Sequence, residues 1–190
     1  MEYYPSVMNN YHEIFVGGGS CLLSFCSKKE NGEIQVNGKI YAYDINEKLI
    51  NVYINVRDNP EKLIQELEIL EKEYFSIEKH KCTKEQRKPI SKKHALISRE
   101  SYYYWIRDQF NRNIDSNIKI SAYFIFLNKT GYRGLYRVGP NGYNVPYGNY
   151  KKPTIHNSEL IRNISKLIQN VNFQALSYTK SLQYIKEKDF

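Results

Sequence analysis

The sequence predicts an α/β chain: an open, doubly wound sheet interrupted by an insertion of helices and one β-hairpin. Three observations carry this. A short apolar strand runs into three consecutive glycines and then a helical segment, a second strand ends in an acid, and a later stretch centred on Asn141-Gly142 turns to tight turns and aromatic residues.

Taken in order, His12 to Val16 reads as a buried strand ending at Gly17, Gly18 and Gly19. The following "GSCLLSFCS" reads as a helix with Leu22, Leu23, Phe25 and Cys26 inward. Asn31-Gly32 and Asn37-Gly38 are hairpin-type turn signals and mark a small excursion. A second strand, Lys39 to Tyr43, ends at Asp44. From Asn46 a helix presents Leu49, Ile50, Tyr53 and Ile54 on one face and breaks at Asn59-Pro60. A second helix from Glu61 turns Leu63, Ile64, Leu67 and Leu70 inward. Residues 78–99 are polar, dense in charge and carry Pro89, which predicts a surface loop. "ESYYYWIRDQFNR" and "DSNIKISAYFIFLNKTG" read as two helices, the second buried along Ile118 to Leu127. Residues 134–148 read as a β-hairpin displaying Tyr136, Arg137, Tyr143 and Asn144. A helix from Ser158 to Gln169, the strand "VNFQALSY" and a final helical segment follow.

Composition bounds the class. The 190 residues suit one domain, with 41% hydrophobic and 25% charged residues, and no apolar run reaches the roughly 20 residues of a membrane span. The N-terminus lacks the basic flank and apolar core of a signal peptide, so the expected setting is intracellular, without membrane contact. Cys21, Cys26 and Cys82 are an odd number without metal-ligand spacing, and no metal is expected. His12, His80, His94 and His156 are scattered and take no assigned role. The net charge of +8 points to a polyanionic partner, or to a solubilised surface. Tyrosine is abundant at 18 residues, which an AT-rich coding sequence explains as well as function does.

Strand, glycine turn, helix and a second strand ending in Asp44 form the arrangement that receives an adenosine-bearing cofactor, the glycines admitting the ligand and the carboxylate meeting a ribose diol. "GGGS" is not the diphosphate-cradling pattern, so a ligand without phosphates fits better; a purely structural turn fits as well. In the hairpin, Arg133, Arg137, Lys151 and Lys152 interleave with Tyr132, Tyr136, Tyr143, Tyr147 and Tyr150. A two-stranded ribbon of that composition suits the DNA major groove, the alternative being an amphipathic surface hairpin.

"YHEIFVGGGS", "KIYAYDINEKLINVY", "FIFLNKTGYRGLYRVGPNGYNVPYGNYKKP" and "VNFQALSY", in this order, resemble the D12 class of DNA adenine N6-methyltransferases, the Dam-like enzymes. The resemblance runs from residue 11 to 189, "RVGPNGYNVPYG" is its most specific part, and "SYYYWIR" is similar to members from large DNA viruses. It implies a partial Rossmann-like sheet that binds S-adenosylmethionine, formed by residues 1–75 and 154–190, with a target-recognition insertion over 76–153. Phe15, Gly17 and Gly19, with Gly18 between them, match the cofactor motif FxGxG. Asp44 matches the ribose-binding acid, and Ser177 and Tyr178 fall where the family lines its adenine pocket. Double-stranded DNA is the implied partner, met by Tyr132, Arg133, Arg137, Asn144, Pro146, Tyr147, Asn149, Tyr150 and Lys151, with Arg137 resembling a base-contacting arginine. Arg133 and Asn149 depart from the Asn and Arg common in GATC methylases.

Two family motifs do not occur in this sequence. Its six prolines are never adjacent, so no DPPY-type motif is present to hold a flipped adenine, and no GGK occurs. The expectation is therefore a portion of a methyltransferase, or a non-catalytic DNA-binding remnant, or a half enzyme completed by another chain. The first strand would then leave an unpaired edge.

Overall fold

The computed structural model describes residues 4–78, 82–113 and 115–190. His80 and residues 79–81 of the expected loop lie outside the described residues. The chain divides into two compact units, residues 1–60 with 159–190, and residues 61–158.

The first unit is built on a parallel sheet. Strands β2 (Tyr11–Glu13), β4 (Ile40–Asp44) and β7 (Val171–Ala175) lie side by side in the order β2-β4-β7. In register, Tyr11 lies opposite Ile40, and Asp44 opposite Ala175. Helices α1 (Ser20–Glu30) and α2 (Glu47–Asp58) follow β2 and β4. Tyr11, Leu22, Phe25, Ile40, Ala42, Tyr43, Ile50, Tyr53 and Phe173 are buried, and Tyr11 stacks on Phe25 at a centroid distance of 3.6 Å. The Asn46 side chain accepts from Leu49 N and so caps α2, as its place between an acid and an apolar-periodic run predicts.

Several expected details change. The first strand ends at Glu13, because Ile14 and Phe15 turn and Phe15 faces solvent at 70% exposure. Leu23, Leu49 and Ile54 are only half-buried, and α2 instead buries Val52, Asn55 and Val56 beside Ile50 and Tyr53. The excursion is not a hairpin. Asn31 caps α1, with its N–H bonded to Ser27 O, and β3 (Gln35–Val36) pairs in parallel with β1 (Val7–Met8), a strand the sequence reading missed. Two-residue strands are too short for any periodicity to show. At the other end, β7 stops at Ala175, and Tyr178–Ser181 form a short helix, α8.

The edge expected to be bare is occupied along Asn10 to His12. His12 N donates to Phe190 O at 2.7 Å and Phe190 N to Asn10 O at 2.9 Å, which sets Phe190 parallel to β2 opposite Tyr11. Beneath it, buried His12 lies 3.2 Å from Tyr43 Oη through Nδ1 and 3.3 Å from Asp189 Oδ2 through Nε2.

The second unit is helical with one ribbon. Helices α3 (Pro60–Ser76), α5 (Arg99–Arg112) and α6 (Asn117–Thr130) bury Leu63, Leu67, Leu70, Tyr74, Tyr102, Tyr103, Phe110 and Phe126. Side-chain caps from Ser98 and Ser116 start α5 and α6. Residues 82–99 are more ordered than a surface loop: Glu85–Arg87 form a 3-10 turn and Lys92–Ala95 a helix, α4. This segment is tied down where Ser101 Oγ donates to Gln86 O at 2.7 Å. Helix α6 buries one side only, for Ile118, Tyr123, Phe124 and Ile125 are half-exposed. Helix α7 (Ser158–Leu167) belongs, but for its first residue, to the first unit.

Candidate cofactor loop and nucleic-acid interface

The loop after β2 is shaped by its glycines and held from two sides. Gly17 and Gly19 take φ values of 44° and 79°, in the left-handed region that favours glycine. Asp44 at the tip of β4 accepts from Gly17 N at 3.1 Å through Oδ2 and from Asn46 N at 2.9 Å through Oδ1. Tyr53 on α2 donates from its hydroxyl to Gly17 O at 2.8 Å. A Cβ on Gly19 would meet that same hydroxyl at 2.5 Å, whereas a Cβ on Gly18 would meet nothing within 4 Å. The loop is thus packed beneath Gly19 and bare above Gly18. Burial pushes the Tyr53 hydroxyl up to about 12, with the Asp44 charge adding to the effect, so it remains a donor at neutral pH.

All seven residues expected at the cofactor site fall in one neighbourhood. Leu176 N donates to Asp44 O at 3.0 Å, bringing Ser177 and Tyr178 to the tip of β4. The exposed rings of Phe15 and Tyr178 lie 5.9 Å apart at 34°. Ser177 Oγ pairs with Thr179 Oγ1 at 3.0 Å and its carbonyl receives the first N–H bonds of α8. Tyr53 was read only as a core face; its spacing from Asp44 gave no hint that the hydroxyl reaches the loop.

In the second unit, β5 (Val138–Gly139) and β6 (Gly142–Tyr143) form the antiparallel hairpin. The turn positions are Pro140 and Asn141, one residue earlier than expected, with Gly142 following at φ 90°. The ladder resumes at the bridge of Gly131 with Tyr147, where Tyr132 N donates to Pro146 O and Gly148 N to Thr130 O.

This short ribbon is held from helices α5 and α6. Asn111 donates from Nδ2 to Tyr143 O at 3.0 Å and accepts from Tyr143 N at 2.8 Å. Tyr103 Oη and Arg107 Nη1 both donate to Val145 O, and Asn128 Nδ2 donates to Gly134 O. None of these four residues was singled out from sequence.

Of the expected DNA-facing residues, Tyr132, Arg133, Arg137, Asn144, Pro146, Asn149, Tyr150 and Lys151 are exposed. Two expectations need correction. Tyr143 is buried at 4% exposure, because its ring packs on Phe110 and Tyr136. Tyr147 turns inward, its hydroxyl 2.7 Å from that of Tyr74, and burial raises its pKa; it belongs to the frame. Arg137 donates from Nε to Asn144 Oδ1 at 2.6 Å and from Nη2 to Asn144 O at 3.3 Å, which steadies an otherwise free guanidinium. Arg133 and Asn149 both take positive φ, and Arg133 N donates to Tyr150 Oη at 2.9 Å.

Charge is segregated along the chain. Residues 79–158 hold 16 Lys and Arg against 4 Asp and Glu, out of totals of 28 and 20. That stretch contains the hairpin. Among the described residues no helix is long and apolar enough to cross a membrane, and no group of three His, Cys, Asp or Glu could hold a metal ion.

Comparison with known proteins decides the family, since the profile of the D12 class N6 adenine-specific DNA methyltransferases matches residues 2–190. The chain belongs to this family. It is similar to the type II methyltransferase M.MjaIII of Methanocaldococcus jannaschii, with 36% identity over 186 residues, 96% of this chain and 56% of the relative. The type II methyltransferase M1.LlaDCHI of Lactococcus lactis subsp. cremoris shares 32% over 191 residues, 98% of this chain and 56% of the relative. The DNA adenine methylase of Vibrio cholerae shares 30% over 167 residues, 87% of this chain and 48% of the relative. The D12 chain described here thus spans about half the length of the curated relatives it matches.

Proposed function

We propose that this D12 chain carries the cofactor-binding and DNA-recognition parts of a site-specific DNA adenine N6-methyltransferase. Residues 1–75 and 154–190 would supply a Rossmann-like, S-adenosylmethionine-binding core, and residues 76–153 a target-recognition region reading double-stranded DNA through the 134–148 hairpin.

The convergence of Phe15, Gly17, Asp44 and Tyr178 on one face of the first unit carries the reading. The fit to a phosphate-free adenosine ligand rests on the loop itself. Above Gly18 there is open space, the exposed Phe15 two residues before Gly17 pairs with Tyr178, and each Asp44 oxygen keeps a lone pair after accepting one backbone N–H. Gly17 to Gly19 would admit the amino-acid end, Asp44 would accept from the ribose diol, and Tyr178 would border the adenine. When bound, S-adenosylmethionine supplies an electrophilic methyl on sulfonium. The protein residues bind and orient it, and none of them is assigned the chemical step.

Gly18→Leu tests this. Its side chain enters open space, so the unfolding free energy should stay within about 0.5 kcal/mol of the parent. Calorimetric titration with S-adenosylmethionine should show affinity lowered at least about tenfold, roughly 1.4 kcal/mol. Equal affinity in parent and variant refutes the site.

A further inference from the structure

The second unit has a cleft of about 420 Å³ between the 87–90 segment and α5, and Asn111, which holds the hairpin backbone at Tyr143, is part of its lining. Four cations, Arg87, Lys88, Arg107 and Arg112, line it with a single acid, Asp108. Two ties hold the segment in place: Ser101 Oγ on Gln86 O, and Arg87 Nε on Glu100 Oε1 at 2.7 Å. Arg107 is committed to the wall, with Nη1 on Val145 O at 3.2 Å and its guanidinium 4.5 Å from the Tyr104 ring centroid. Arg112 is steadied through Nε by Asp108 at 2.8 Å, one helical turn back. The cleft is therefore rigid on its α5 side and cationic at its mouth. Through Arg107 its wall is bonded to Val145, the residue that follows Asn144 beyond the hairpin strand.

We propose that this cleft is a second contact to the DNA backbone, in which Arg87, Lys88 and Arg112 take phosphates flanking the base pairs read by the hairpin. The inference rests on the DNA-recognition reading above. Guanidinium and ammonium groups on a charge-dense segment suit phosphodiester oxygens, and such contacts add affinity without reading sequence. They extend the footprint outside the recognition site. Each neutralised phosphate releases counterions, so the contact has a thermodynamic signature that a purely structural role lacks.

The test measures binding of the full chain to a panel of duplexes of different sequence across a range of salt concentrations. The parent is compared with Lys88→Gln, Arg112→Gln and the double variant; Arg87→Gln is added last because it strands Glu100. Each lost phosphate contact should reduce the slope of log K against log salt by about 0.9, hence about 1.8 for the double variant, with all duplexes weakened alike. Unchanged slopes in variants that unfold at the parental temperature overturn the proposal. So does a loss confined to particular sequences. If the parent chain itself shows no salt-dependent DNA binding, the DNA-recognition reading fails first, which is a separate outcome.

Discussion

Gly19 joins the conformation of the loop to the side chain beneath it, and Gly19→Ala tests both at once. At φ 79° an L-residue costs about 1–2 kcal/mol relative to glycine. The added methyl would also stand 2.5 Å from the Tyr53 hydroxyl, but 3.3 Å from Cζ, so the hydroxyl must move and its 2.8 Å bond to Gly17 O is lost. That bond contributes about 1 kcal/mol, and leaving the carbonyl unpaired adds to the cost. Gly19→Ala should therefore destabilise by about 2–4 kcal/mol, and Tyr53→Phe by about 1–2 kcal/mol. In the double variant the overlap is gone, since the ring carbon can accept a methyl at van der Waals range after a shift of a few tenths of an ångström. The sum of the single effects should thus exceed the double by about 1 kcal/mol or more, measured by urea unfolding as a double-mutant cycle. Strict additivity, or a Gly19→Ala cost under about 0.5 kcal/mol, would show that Tyr53 does not support the loop.

Asn111→Ala removes both bonds to the Tyr143 backbone and should cost about 1–3 kcal/mol, with amide exchange accelerated over residues 138–145 rather than in α3. Arg137→Ala should cost about 1–3 kcal/mol of discrimination between duplex sequences in a selection from a randomised library; equal losses on every sequence would mark a phosphate contact instead. Tyr53 also sets an alkaline limit. Between its ordinary pKa of 10 and the folded value of about 12, the unfolded chain releases this proton and the folded chain keeps it. Stability is therefore fully present below pH 10 and falls as pH rises, and in Tyr53→Phe the decline between pH 10 and 12 should be shallower by up to about 1.4 kcal/mol per pH unit. An unchanged slope would show that the hydroxyl titrates normally.

The sequence revealed long elements because their burial has a period. Helices α2, α3, α5 and α6 and strand β4 lie where apolar spacing put them, to within a residue or two. The candidate cofactor residues Phe15, Gly17 to Gly19, Asp44, Ser177 and Tyr178 could be named because each falls in a short stretch that carries the family resemblance. What stayed hidden was tertiary. Strands β1 and β3 pair over two residues, and Tyr147 faces Tyr74 from 73 residues away. Asn111, Tyr103 and Arg107 act on backbone atoms of a segment more than 30 residues distant. The ordered 85–95 segment was concealed by its polarity, since a 3-10 turn and a four-residue helix bury too little apolar surface to leave a pattern.

The way the hairpin is held has a bearing on how this protein changes over time. Asn111, Tyr103, Arg107 and Asn128 grip the main-chain atoms of Tyr143, Val145 and Gly134, and main-chain atoms are the same whatever residue carries them. Outward positions such as 138 and 141 are thus left outside the frame's requirements, so substitutions there are compatible with the ribbon keeping its place, whereas Tyr136 packs on Phe124 and Tyr143 and belongs to the mounting. Under the proposed DNA-recognition role, the side chains that would read the duplex and the contacts that mount the ribbon are therefore largely separate, and the first can be exchanged without rebuilding the second.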